Sequence, residues 1–322
     1  MIPFIGQRLL RCVFVLVAVS VFAFVLIDLA PGEYFQDMRL NPQIRPETVA
    51  ALRAQYGVDQ PLPARYWRWL TSVSRGELGF SLAYNSPVWP MLKPRIANTL
   101  ILTTGALACS WLIAIPLGVW MAARAGRWDT RISGLGNTFL LATPHVLIAL
   151  GLLALALRSG RFPTGGMHAF LSDTGVTERV KDVAIHLILP LCALTAATLP
   201  VLVRHVRSAM LEVLHSPFIM AARGHGIPRF RLLFSHALPA AANPLISLFG
   251  VSVGLLLSGS LLIEVIMSWP GMGPMLLQAI LERDPHVVVA SVLFSTLFLM
   301  AGSFLADVSL YIVDPRIRWS ER

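Results

Sequence analysis

The chain has 322 residues, of which 56% are hydrophobic and 13% charged, with a formal net charge of +9. Soluble domains carry about 25% charged residues, so this balance makes lipid the main solvent. A nucleic-acid-binding protein is excluded, because it needs a basic face on a soluble fold.

From the N-terminus, residues 12–27 carry no charge, and the apolar run extends into Leu29-Ala30. A secretory signal has an apolar stretch of about 7–15 residues and a small-residue cleavage site. The longer run here closes on Asp28-Leu29-Ala30-Pro31-Gly32 and reads as an uncleaved anchor helix. Residues 31–96 are too polar to span a membrane. Within them, 46–56 and 63–75 read as short helices stopped by Gly57 and Gly76. Tyr66, Trp67 and Trp69 suit two arrangements: a helix lying at the membrane interface, or a small outer subdomain whose aromatics pack on one another.

Further spans fall at 97–123, 132–157, 183–203, 240–266 and 287–312. Each is long enough to cross a hydrocarbon core of about 30 Å at 1.5 Å per residue. The expected fold class is an all-α integral membrane protein of about six transmembrane helices. Pro116 and Pro144 sit inside the second and third spans, and Pro190 and Pro200 interrupt the fourth. Membrane helices tolerate such prolines where neighbouring helices satisfy the freed carbonyls. Cys12, Cys109 and Cys192 all fall inside spans, and read as small apolar packing residues.

Six spans put both termini on one side, together with 124–131 and 204–239. That side carries thirteen arginines, from Arg8 and Arg11 to Arg316, Arg318 and Arg322, against four acids. The short loops of the other side carry five basic residues: Arg158, Arg161, Arg179, Lys181 and Arg283. The asymmetry places both termini in the cytoplasm, so the positive charge is largely a topology signal.

The loop between the fourth and fifth spans is the informative one. Ser216 suits an N-cap and Pro217 the first helical position. Gly226 can take the left-handed conformation that ends a helix, and Pro228 forbids its resumption. The chain therefore specifies a helix of roughly two turns, presenting Phe218, Ile219, Ala221 and Ala222 with basic flanks such as Arg223. From these residues alone it is either a partner-docking helix or a loop helix resting on the membrane surface.

Asp28, Glu264 and Asp307 lie at or inside spans, where ionisable groups are costly. Asp28 and Glu264 sit near outer ends and read as structural, with Glu264 placed to accept backbone hydrogen bonds from the 269–273 turn. Asp307 lies about two turns from the inner end, suited to pairing with Arg316 or Arg318. His205, His215, His225 and His236 recur every ten or eleven residues, not the three or four of a metal-binding helix. Only two lysines exist, Lys93 and Lys181, and neither has the context of a phosphate-binding loop. No nucleophile–base pair suggests an enzyme.

Met220-Ala221-Ala222, three residues, Gly226, nine residues, then His236-Ala237-Leu238-Pro239 resembles the cytoplasmic loop of permeases in ATP-binding-cassette (ABC) importers. That pattern begins Glu-Ala-Ala and ends Ile-x-Leu-Pro. Its Glu is often missing in the dipeptide/oligopeptide/nickel branch, which leaves Met220 with no carried-over role. Pieces of the same branch follow in order along the chain. They are Leu29-Ala30-Pro31-Gly32, Tyr56-Gly57-Val58-Asp59-Gln60-Pro61-Leu62, Gly76-Glu77-Leu78-Gly79-Phe80-Ser81 and Ile115-Pro116-Leu117-Gly118-Val119. Glu264 with Ser268-Trp269-Pro270-Gly271-Met272-Gly273, and Asp314-Pro315-Arg316-Ile317-Arg318, complete the set.

The chain thus resembles the first of the two paired permeases of a peptide importer. The resemblance implies a type I permease domain over 97–312 with a coupling loop at 204–239. Residues 1–96 would form an anchor helix and periplasmic loop, and 313–322 a cytoplasmic tail. It implies a second, related permease, two ATPase subunits that bind ATP and Mg, and a periplasmic binding protein that delivers substrate. The chain itself would hold no cofactor and sit in the inner membrane among lipid. Ser216, Pro217, Phe218, Ala221, Ala222, Arg223 and Gly226 would form the ATPase-coupling helix. Glu264, Trp269, Pro270, Gly271, Gly273, Asp307, Asp314 and Arg316 would be structural. Nickel-chelate import is a close sibling. A self-sufficient secondary transporter would need midplane ionisable or unwound sites and an inverted repeat, neither of which is found. A membrane enzyme or receptor would need catalytic residues or a large outer domain.

Overall fold

A computed structural model of the chain describes residues 2–29, 45–47, 53, 60–81, 83–168 and 175–313. In chain order its elements begin with helices α1 (Ile2–Leu29) and α2 (Leu62–Ser74), then two-residue strands β1 (Phe80–Ser81) and β2 (Ser86–Pro87). Helices α3 (Val88–Ala123), α4 (Trp128–Ala142), α5 (His145–Ser159), α6 (Val176–Leu214) and α7 (Pro217–Gly224) follow. After a helical connection come α8 (Ala242–Ile266), α9 (Met272–Leu281) and α10 (Pro285–Val313). The chain divides into two compact units, one of residues 1–98 and 270–297, the other of 99–269 and 298–322. The short helix expected at 46–56 lies mostly outside the described residues.

In the first unit, α2 packs on the anchor helix α1. The Phe24 ring lies 5.4 Å from Tyr66 and 5.0 Å from Trp69, and Arg65 donates to Asp28 at 2.8 Å. Trp69 is buried while Trp67 is 66% exposed, so the aromatics divide between packing and surface. Asp28 is structural, tying the two helices. Beyond α2, β1 and β2 pair antiparallel. Asp284 pins this ribbon: its Oδ2 accepts from Ser81 Oγ at 2.6 Å and Ala83 N at 3.3 Å. Its Oδ1 accepts Val287 N at 3.4 Å, in the first turn of α10. Gly79 has φ of +101°, and a β-carbon there would fall 2.5 Å from the His286 ring. Glycine at 79 thus serves both a positive φ and a close approach to the His286 ring.

Within the second unit, where α4, α5 and α8 all pack on α6, three helix pairs show the relative direction of the long helices. Ser110 bonds Thr198 at 2.9 Å, and Gly118 sits so close to Val206 that a β-carbon would lie 2.6 Å from it. Both partners advance together along the chain, so α3 and α6 run parallel. Leu245 shares a cluster with Val206 while Gly259 faces Leu194, so α8 runs antiparallel to α6. Gly250 meets Ala306 and Gly302 meets Val253, so α10 runs antiparallel to α8. Gly250 and Gly254 form a small-xxx-small stripe that lets the α8 and α10 backbones approach. Buried Leu102, Ala106, Leu189, Leu194, Leu256 and Trp269 form the main core.

Among the described residues five helices are long and apolar enough to cross a membrane alone: Gly6–Leu29, Val88–Ala123, Val176–Leu214, Ala242–Ile266 and Pro285–Val313. The span expected at 132–157 is corrected. It is two helices, α4 and α5, bent by 102°. Pro144 has no N–H to give and holds Thr143 extended (ψ 121°), which ends α4. Two parallel membrane helices must be joined by a return crossing, so α4 and α5 together make the sixth. By contrast Pro190 and Pro200 sit within a continuous α6, and Asn137 Nδ2 donates to the main-chain carbonyl of Pro200 at 3.0 Å, tying α4 to α6 at that level. Helix α3 starts at 88, not 97, because Pro90 falls in its first turn, where a missing N–H is harmless.

Candidate docking site on the arginine-rich loop

Helix α7 follows α6 after a two-residue turn. Ser216 stands at its N-cap with extended backbone (φ −72°, ψ 147°). Its hydroxyl, however, donates back to Val213 O at 2.5 Å and so closes the end of α6, not the start of α7. Gly226 has φ of +76°. Gly226 N donates to Arg223 O at 3.0 Å and Ile227 N to Ala222 O at 3.4 Å. These two bonds form a Schellman motif, with Ile227 and Ala222 supplying its apolar contact. Helix α7 is therefore a closed unit of eight residues.

Its faces differ from the sequence expectation. Ile219 is 1% exposed and packs with Val119, Val206, Met210 and Leu232, and Ala222 is turned toward the same cluster. Phe218 and Met220 are 50% and 59% exposed, and Ala221 and Arg223 share their surface. So Ile219 and Ala222 anchor the helix, and Phe218 and Met220, about 200° apart around it, flank the buried stripe on either side. The three-residue step from 219 to 222 places both on one side of a helix, a signal present in the sequence.

Beyond Pro228 the chain runs as α-helix at Arg229–Arg231, π-helix at Leu232–Ala237 and α-helix at Leu238–Ala240. Leu238 N bonds Leu233 O, five residues back. In an α-helix the Pro239 ring would clash with the Ser235 carbonyl, and the widened turn relieves this. Arg229 donates to Ala123 O, which brings 229 to the end of α3. The loops 124–131 and 204–239 thus lie at the same end of their unit.

The four loop histidines do not converge. The Nδ1–H groups of His205, His215 and His225 donate to carbonyls four residues back, at 2.6 to 2.8 Å, and His236 to Arg231 O at 3.3 Å. Among the described residues no group of His, Cys, Asp and Glu could hold a metal ion.

The motif around Glu264 is a buried turn. Glu264 is fully buried, its main-chain carbonyl accepts Trp269 N at 2.8 Å, and Ser268 takes φ of +51° between them. Trp269 fills the core of the second unit. In the first unit, Asn98 Nδ2 donates to Pro270 O at 2.8 Å, and Gly271 precedes α9, with Gly271 and Gly273 both buried. Asp307 is half-buried on α10, while Asp314 and Arg316 lie outside the described residues. The Asp284–Ser81 contact was not singled out in the sequence. It joins positions 203 apart, a distance that no local pattern reports.

The fold and the loop together define a multi-span helical membrane protein with a short helix pinned at one end of its second unit. Residues 114–319 match the family of binding-protein-dependent transport system inner membrane components, and residues 1–103 match the N-terminal membrane component of such systems. The chain belongs to this family, as a membrane permease subunit of an ABC importer. It is 32% identical over 323 residues to the oligopeptide transport system permease protein AppB of Bacillus subtilis, covering 99% of this chain and 100% of that one. It is 32% identical over 336 residues to the dipeptide transport system permease protein DppB of Escherichia coli K12, covering 99% of both. The glutathione transport system permease protein GsiC of Salmonella paratyphi A is 30% identical over 323 residues, covering 99% of this chain and 100% of that one. In fold it is similar to a chain of the inward-facing MetNI methionine ABC transporter, with TM-score 0.57 and 17% identity. That likeness covers 70% of this chain and 96% of that one.

Proposed function

We propose that the chain imports peptides across the inner membrane, forming half of a path that a second, related permease completes. The observation that carries the substrate class is its full-length similarity to dipeptide and oligopeptide permeases. A periplasmic binding protein supplies the peptide, and two partner ATPases bind ATP and Mg and supply the energy. This chain hydrolyses nothing itself: its two lysines have no phosphate-binding loop around them. Both termini face the cytoplasm, in keeping with the arginines gathered at 124–131 and 204–239.

Helix α7 is the contact to one ATPase. A coupling element must move as a rigid body, and the Schellman closure with the buried Ile219 anchor makes α7 one with the ends of α3 and α6. Phe218 and Met220 then supply exposed apolar side chains on the two flanks of that anchor. The test is a Gly226→Val, Phe218→Ala variant. A β-branched residue at positive φ costs about 1 kcal/mol or more, and an anchor aromatic is worth about 2 kcal/mol of docking. The variant should reach the membrane at normal levels, yet lose ATPase co-purification and peptide uptake. Normal co-purification and uptake would leave α7 an ordinary surface helix.

A further inference from the structure

We propose that a cavity at the junction of α3 with the 229–234 segment binds one anionic phospholipid. The cavity holds about 470 Å³, within the roughly 300–1,000 Å³ typical of small-molecule sites. Its walls are Val119, Trp120, Leu233 and Phe234, with Phe230 beside them and 75% exposed. Arg124 and Arg229 stand at the same cavity. The combination matches a two-part ligand, an acyl chain against the rings and aliphatics and a phosphate at the guanidiniums. Both belong to a lipid, and neither a soluble phosphate nor a wholly apolar surface needs both.

The charges favour an anion after the local acid is counted. Asp129 takes up Arg124 at 3.0 Å and lies 3.8 Å from Arg127. Arg229 has no carboxylate partner among the described residues; it donates to the Ala123 carbonyl, which leaves its remaining N–H groups for a ligand. The surroundings are those of a headgroup layer. Arg124 lies over the Trp120 ring at 5.9 Å and Arg131 over Trp128 at 6.0 Å, at the ends of apolar helices. Aromatic belts with arginine mark the level where lipid headgroups sit.

The test uses the assembled importer in nanodiscs with a photoactivatable phosphatidylglycerol, and the matching phosphatidylcholine as comparator. Adducts should map to the peptides carrying Trp120 and 230–234, and phosphatidylglycerol should label them roughly fivefold more, the weight of one guanidinium at an anionic headgroup. Excess soluble glycerol 3-phosphate should leave the labelling intact. Arg229→Gln should abolish the preference and Arg229→Lys should keep it. Equal labelling by both lipids, or no adduct at these peptides in the unsubstituted protein, overturns the proposal. So does displacement by glycerol 3-phosphate, which marks a free-phosphate site. Crosslinks from a cysteine at 230 to another subunit in place of lipid would mark a protein interface and overturn it too.

Discussion

Gly118 offers the sharpest test of how α3 and α6 pack. A β-carbon at this position would lie 2.6 Å from Val206 Cγ1, 2.7 Å from Val206 Cβ and 3.2 Å from Arg207 N. Carbon atoms rest about 3.5–4.0 Å apart, so Gly118→Ala forces the helices about 1 Å apart. Rotating Val206 gives no relief, because its own β-carbon is in the way. Overpacking of this kind costs about 1–3 kcal/mol, against a gain of about 1 kcal/mol from replacing a helical glycine. Gly151 in α5 is the control, since a β-carbon there meets nothing within 4 Å. Gly151→Ala should gain up to about 1 kcal/mol, leaving the two variants about 2 kcal/mol apart. Retention of folded protein on size exclusion after heating reads the difference. Val206→Ala should fail to rescue Gly118→Ala, whereas Val206→Gly should restore part of the loss. Equal heat resistance of Gly118→Ala and Gly151→Ala would refute the close approach.

Ser81→Ala removes a donor from the buried Asp284 carboxylate, and should cost about 1–3 kcal/mol in the same heating assay. Unchanged stability would show that the ribbon is not held through Asp284. In a background lacking Cys12, Cys109 and Cys192, a cysteine at position 60 should react with a periplasmic reagent. A cysteine at position 225 should not, and the reverse pattern would invert the proposed orientation.

The apolar spans were legible because lipid demands long uninterrupted runs. The C-terminal stop of α7 was legible too, since Gly226 and Pro228 act through their own backbone chemistry. Prolines were less transparent. Pro144 breaks its span while Pro190 and Pro200 lie within a continuous α6, and no local pattern in the sequence separates the two cases. The inward direction of Ile219 is written in the helical period, since 219 and 222 stand three residues apart on one face. Gly250 and Gly254 carried a readable spacing. Their partners on α10, and those of Gly118 on α6, became visible only when the helices were placed together. The two readings of Tyr66, Trp67 and Trp69 could not be separated in sequence, because the partner that divides them, Phe24, lies in the anchor helix.

The central claim is that this chain is half of an ATP-driven peptide path and none of its motor. Its most direct test is uptake of a labelled peptide into proteoliposomes holding the binding protein, both permeases and both ATPases, compared with this chain alone and with the assembly lacking it. Uptake should require ATP and the complete assembly, and the isolated chain should neither hydrolyse ATP nor move peptide. ATP-dependent uptake by the chain alone, or undiminished uptake by the assembly without it, would contradict the account.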